Sequence, residues 1–165
     1  MSIMETQTFI VFVHTMVQTG IVFNKAIKKG DKSLLNKVFE YEEKVYKHAE
    51  DLLETKSVFR NEAEKLEFIR EMLFISSGFS RLAHLLRAKK LEHAEEFVAI
   101  INDFAVYLEK IESMGSGPSI LLLKKIRGFM KSAVASDSVF DYAVGETLEQ
   151  IFLSIRTVSN MIKLF

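Results

Sequence analysis

The chain has 165 residues, 48% of them hydrophobic, with one proline, seven glycines and no cysteine. That length supports one domain with a substantial core, and the composition excludes a disordered chain, a disulfide scaffold, thiolate-bound zinc and thiol catalysis. Lysine plus arginine and aspartate plus glutamate each total 22, a balance that argues against nucleic acid as the main partner, because phosphate neutralisation dominates such binding. The apolar run Phe9-Ile-Val-Phe-Val13 is far short of the ~20 residues of a bilayer span. It also lacks the basic n-region and cleavage site of a secretory signal, so a soluble cytoplasmic protein is expected.

Taken in order, the spacing predicts a helix over 4–29, opened by Ser2-Ile-Met-Glu5 at capping-box spacing. Phe9, Phe12, Val13, Met16, Gly20, Phe23 and Ile27 make its apolar stripe. Gly30 ends this helix, since glycine takes a left-handed turn readily, and Asp31 caps the next one at once, so the two run antiparallel. The second helix covers 32–56, with Leu34, Val38, Tyr41, Val45, His48, Ala49 and Leu52 inward. Its outer side pairs Glu40 with Lys44 and Glu43 with Lys47, which describes a solvated face rather than a ligand site.

A third helix covers 61–89, with Asn61-Glu-Ala-Glu64 as its capping signal. Ile69, Met72, Leu73, Ser76, Phe79, Ala83 and Leu86 share one face, and Phe74, Ile75, Leu82 and Leu85 widen it, as in a helix packed on more than one side. Gly78 interrupts it at a cost of about 1 kcal/mol relative to alanine, so a neighbouring helix is expected to come close there. The polar segment from Arg87 to Lys90 marks the reversal into a fourth helix over 91–114. Met114-Gly-Ser-Gly-Pro-Ser119 is a turn, with Pro118 at the first position of a fifth helix reaching Ala135. Ser136-Asp-Ser138 breaks the chain again, and a sixth helix runs to the C-terminus with a kink at Gly145.

The stretch from Glu67 to Leu86 has a degenerate copy from Glu146 to Phe165, in which Met72-Leu-Phe74 align with Ile151-Phe-Leu153 and Phe79-Ser80 with Val158-Ser159. The expected fold is therefore all-α, a single domain over 1–165, built as a six-helix up-down bundle of two three-helix pseudo-repeats at about 1–89 and 90–165.

No catalytic constellation is visible. The Glu-x-x-His pairs of di-iron bundles, the His-Glu-x-x-His of zincins, the P-loop and the dinucleotide fingerprint are all missing. His14, His48, His84 and His93 fall on four different predicted helices and read as core-edge or surface residues, not metal ligands. Glu92 with Glu96, and Asp137 with Asp141, are acidic pairs one turn apart. They read as helix-start acids and a cap, which the helix dipole favours, rather than as a cation site. Lys124, Lys125, Arg127 and Lys131 give helix five a basic side, suited to an acidic partner or to proximity to an anionic membrane surface. Arg87 and His93, with five residues between them, fit the Arg-x(4–6)-His spacing of HEPN ribonucleases. Under that alternative these two would be catalytic, in a ribonuclease or a toxin–antitoxin component.

Over Val17 to Leu86 the chain resembles the PhoU family of phosphate-uptake regulators. The likeness is carried by Phe-Asn-Lys-Ala-Ile-Lys-Lys-Gly-Asp31, by Leu-Leu-Asn-Lys-Val-Phe-Glu-Tyr-Glu-Glu-Lys-Val45 and by Phe-Ser-Arg-Leu-Ala-His84. The family has two three-helix halves, each bearing a Glu-Arg-Ile-Gly/Ala-Asp signature whose acids bind metal clusters in some members. Here the matching stretches are Ser80-Arg-Leu-Ala-His84 and Ser159-Asn-Met-Ile-Lys163, from which both acids are gone, so no metal and no cofactor are expected. The resemblance implies a non-enzymatic cytoplasmic adaptor that couples a phosphate transporter to a sensor kinase through protein contacts. Arg87, Lys89, Lys90, Lys124, Lys125, Arg127 and Lys131 are the candidate contact residues. A homodimer through the phenylalanines of helix one is expected as well. A helical scaffold unrelated to phosphate is the remaining reading.

Overall fold

A computed structural model of the chain describes residues 3–55, 59–112 and 118–163. These form six helices and, among the described residues, no strand: α1 (Ile3–Lys29), α2 (Lys32–Glu54), α3 (Glu62–Ala88), α4 (Ala94–Glu112), α5 (Ile120–Ala135) and α6 (Val139–Ile162). The expected capping box at Ser2, the glycine-serine turn and the last two residues lie outside the described residues, while α2 ends at Glu54, with Thr55 extended at its C-cap, two residues short of the expected end.

Local signals set most of the helix ends. Gly30 takes φ +61°, and the amides of Gly30 and Asp31 donate back to the carbonyls of Ile27 and Ala26, the paired bonds of a Schellman turn. Asp31 then caps α2 by accepting from the Ser33 amide at 2.9 Å. The same turn closes α5, where Asp137 takes φ +53° in the glycine-like position and Ser138 becomes the N-cap of α6. Asn61 caps α3 through the Glu64 amide. Two starts differ from the sequence reading. Pro118 precedes α5 rather than opening it, and the Ser119 hydroxyl at the N-cap position accepts from the Tyr107 hydroxyl at 2.9 Å instead of capping the helix. His93 lies just ahead of α4 rather than within a helix.

The helices enclose one core. α1 packs on α2, α3 and α4, while α6 packs on α3 and α5. Eight phenylalanines are fully buried: Phe12, Phe23, Phe68, Phe79, Phe97, Phe104, Phe129 and Phe152. They meet mostly edge-on or tilted, as in Phe12–Phe68, Phe23–Phe97 and Phe79–Phe104, with ring centroids 6.0 to 6.4 Å apart. Such pairs add about 0.5–1.5 kcal/mol each beyond the area they bury. Phe9 stacks on Phe68, so the crowded phenylalanines of α1 are engaged within the chain. Among the described side chains of α1, Ile10 and Val11 are the large apolar ones left exposed. The stretch Gln7–Lys29 is long and apolar enough to cross a bilayer, a property the five-residue run near its start does not convey, and 56% of its most apolar window is buried inside the fold.

Three glycines mark where helices approach closely, and a fourth does not. A Cβ on Gly20 would lie 2.1 Å from Leu108 Cδ1, on Gly78 2.4 Å from Ile151 Cγ1, and on Gly145 2.4 Å from Met130 Cγ. The expected close neighbour of Gly78 is thus α6. Ile151 is β-branched and stiff at χ1, so it cannot swing clear as the ends of Leu108 and Met130 can. Gly128, by contrast, faces nothing within 4 Å.

His48 packs its ring against Phe12, with centroids 6.3 Å apart. Burial holds its pKa below the ordinary imidazole value, with nearby Asp51 opposing the shift. An imidazole harder to protonate in the folded state than in the unfolded chain makes stability fall as pH drops below about 6.5, because the unfolded state then binds more protons. Chemical denaturation between about pH 7.5 and 5.5 should show that decline, and His48→Gln should flatten it; an equal slope in the variant would remove His48 as the cause. Gly78→Ala should destabilise by about 1–3 kcal/mol through overpacking, yet be neutral or stabilising when combined with Ile151→Ala. Gly128→Ala should stabilise by about 0.5–1 kcal/mol through helix propensity alone. Urea midpoints of the four variants decide this, and additive effects at 78 and 151 would contradict the contact.

Candidate docking surfaces

The basic residues marked in the sequence fall into two places. On α5, Lys125 donates to Asp103 Oδ2 of α4 at 2.7 Å, and Arg127 lies 3.8 Å from Glu149 Oε1 of α6. These two therefore bind the fold together as well as facing outward. Lys124 and Lys131 are exposed. Arg127, Lys131, Met130, Val134, Tyr142 and Glu149 line a groove of about 440 Å³ between α5 and α6. Exposed apolar side chains accompany it: Val134 keeps 62% of its surface accessible, and Tyr142 is also exposed. The groove adjoins a second concavity through shared Met130, Tyr142 and Glu149, where Phe74 of α3 and Leu153 of α6 are exposed.

The other basic group sits where α3 ends. Arg87 donates to Asn36 Oδ1 at 3.1 Å and lies over the Phe39 ring, which stacks on His84 at 4.3 Å. The Lys89 ammonium lies 5.7 Å from the Phe140 ring centroid. Lys89 and Lys90 both border a pocket of about 360 Å³ beneath the α1–α2 turn.

Arg87 and His93, the pair of the ribonuclease alternative, are engaged by different elements. Arg87 is held by α2, whereas His93 Nε2 is 2.9 Å from Ser136 Oγ and its ring lies edge-on to Phe129. Glu96 Oε1 is 3.9 Å from His93 Nδ1 and accepts from the Ser132 hydroxyl at 3.2 Å. His14 pairs with Glu112. Among the described residues, no three His, Asp or Glu side chains converge as a metal site would need. At the positions matching the PhoU signature, Ser80 is buried and donates to Glu42 Oε1 at 3.2 Å, His84 is exposed against Phe39, Ser159 is buried, and Lys163 is exposed at the end of α6.

The acidic pairs behave differently from a cation site. Asp137 is exposed in its turn, while Asp141 is fully buried. The two Asp141 oxygens accept from the backbone amides of Glu92 at 3.2 Å and His93 at 2.9 Å. Asp141 thus caps the start of α4 from the first turn of α6, and both helix dipoles place their positive ends at one carboxylate. Sequence reasoning assigned it a role within its own helix. Nothing local signals a cap supplied from 49 positions away.

No family model, curated protein or solved structure matches the chain.

Asp141→Ala should leave two amides without an acceptor and destabilise by about 2–4 kcal/mol. Hydrogen exchange at Glu92 and His93 should accelerate beyond the global change; protection that tracks the rest of α4 would show that Asp141 does not anchor it.

Proposed function

We propose that this chain is a non-catalytic regulatory adaptor resembling the PhoU family, acting through protein contacts between phosphate transport and its signalling. The observation that carries the reading is which helices meet. α1 packs on α4 and α3 packs on α6, so each of these helices lies against its counterpart in the other half. Within the halves, α1–α2 corresponds to α4–α5 and α2–α3 to α5–α6. Counterparts meeting in this way are what a two-fold relation between two triplets produces, and this supports reading the fold as two three-helix pseudo-repeats. The α1–α3 contact has no comparably extensive α4–α6 match, and here the second, shorter half departs from the first.

The contact face we assign is the α5–α6 groove with Lys124, Arg127 and Lys131 on its basic side, together with Arg87, Lys89 and Lys90 at the end of α3. A face that mixes exposed apolar side chains with charges of both signs suits a partner surface better than a substrate cleft. Such an adaptor acts by binding one state of its partner more tightly than the other, because only differential affinity shifts an equilibrium. The ribonuclease alternative needs Arg87 and His93 at one phosphate, and their separate attachments to α2 and to the α5–α6 turn give it less support.

Deleting the gene in its host should switch on a phosphate-starvation reporter in phosphate-rich medium. The parent chain should restore repression, and a folded Lys124→Glu/Lys131→Glu variant should not. A deletion strain with unchanged reporter and phosphate uptake would end the phosphate assignment.

A further inference from the structure

The α3 end borders a pocket whose apolar interior the adaptor reading does not use, although Lys89 and Lys90 of the contact face stand at its rim. It lies where four elements come together: the end of α1, the start of α2, the end of α3 and the start of α4. Its walls are apolar, with Leu35 and Phe97 at its base and Ile27, Leu86, Leu91 and Val98 around it. Its volume of about 360 Å³ is near the lower end of small-molecule sites, which run from about 300 to 1,000 Å³. That leaves room for one alkyl chain and not for a two-chain lipid.

The charges at the mouth are one-sided. Lys32, Lys89 and Lys90 border the pocket. One carboxylate, Asp31, lies at this rim. It is already engaged as the α2 cap, accepting from both the amide and the hydroxyl of Ser33, bonds that hold its carboxyl below the usual carboxylate range and keep it ionised. In a chain whose charges sum to zero, this local excess of cations is a feature of the site. An apolar chamber would take a neutral hydrophobe, and a lysine cluster alone would take inorganic phosphate. The two together select a molecule that is both.

We infer that the pocket beneath the α1–α2 turn binds a single-chain amphipathic anion, its alkyl chain against Leu35, Phe97 and Leu86 and its head group among Lys32, Lys89 and Lys90. The inference stands apart from the adaptor reading and does not need it. The head group is a carboxylate, as in a fatty acid, or a monoalkyl phosphate. Both present the same combination of chain and negative charge.

Calorimetric titration of the full chain with decanoate and with decyl phosphate, each below its micelle concentration, tests this. Decanol serves as the uncharged chain and inorganic phosphate as the chainless anion. One or both amphiphiles should bind at one site per chain, at least ~tenfold more tightly than decanol or inorganic phosphate. Whichever head group binds identifies the source. Ala94→Trp, which fills the pocket from α4, should abolish binding, and Lys32→Gln/Lys90→Gln should weaken it at least ~fivefold for the anions while leaving decanol unchanged. The charge variant keeps the test valid if the tryptophan prevents folding. Absence of saturable binding by both amphiphiles, equal binding of decanol, equal binding of inorganic phosphate, or parental affinity in the lysine variant would overturn the site.

Discussion

Two buried charges of opposite sign hold helix ends that their own sequences leave open. Lys65 of α3 is 2% exposed, and its ammonium donates to the carbonyls of Leu53 and Thr55 at 3.2 and 3.1 Å, where α2 runs out. Asp141 of α6 does the reverse, accepting from the amides of Glu92 and His93 as α4 begins. A cation at a helix C-terminus and an anion at an N-terminus each match the macrodipole, and each removes orphan backbone groups from a partly dry environment. Among the described residues, neither charge has an ionised partner of comparable burial: Lys65 meets the exposed Glu62 at 3.5 Å, and Asp141 accepts from two backbone amides. Their burial is tolerable because the helix ends do the solvating.

These ties matter because the rest of the packing is not directional. The phenylalanine core supplies area and edge-on ring contacts, which many relative positions of the helices could offer. Gly20, Gly78 and Gly145 narrow the choice by letting α4, α6 and α5 come closer than any side chain at those positions would allow. Apolar burial thus drives the helices together, the glycines fix how closely they meet, and Lys65 and Asp141 fix where the ends of α2 and α4 lie.

Much of this was legible in the sequence where the cause is local. Gly30, Asp31 and Asn61 mark helix ends by conformations and hydrogen bonds that reach no more than a few residues, and each acts as its residue type predicts. Gly78 inside an apolar helix signals a close neighbour because its propensity cost needs a reason. What periodicity cannot convey is which element lies opposite. Ile151, the neighbour of Gly78, sits in α6, yet no feature of either stretch announces the contact. Lys125 and Arg127 read as free basic residues because Asp103 and Glu149, which pair with them, are more than twenty positions away in one direction or the other. The pocket beneath the α1–α2 turn was hidden for the same reason: Lys32 and Lys90 belong to separate helix ends until the fold joins them.

The α1–α2 and α5–α6 connections share one Schellman turn, in which the residue that closes one helix is followed at once by the cap of the next. Each hairpin therefore gathers its contacts from short chain separations, and loop closure weighs little on it. The α3–α6 seam is of another kind, since Gly78 and Ile151 must find each other across most of half the chain. The topology thus divides the molecule into two quickly closed hairpins and two long-range seams, α3–α6 and α1–α4, where Gly20 meets Leu108 across a still longer stretch, and it is at these seams that the chain's entropy resists folding most.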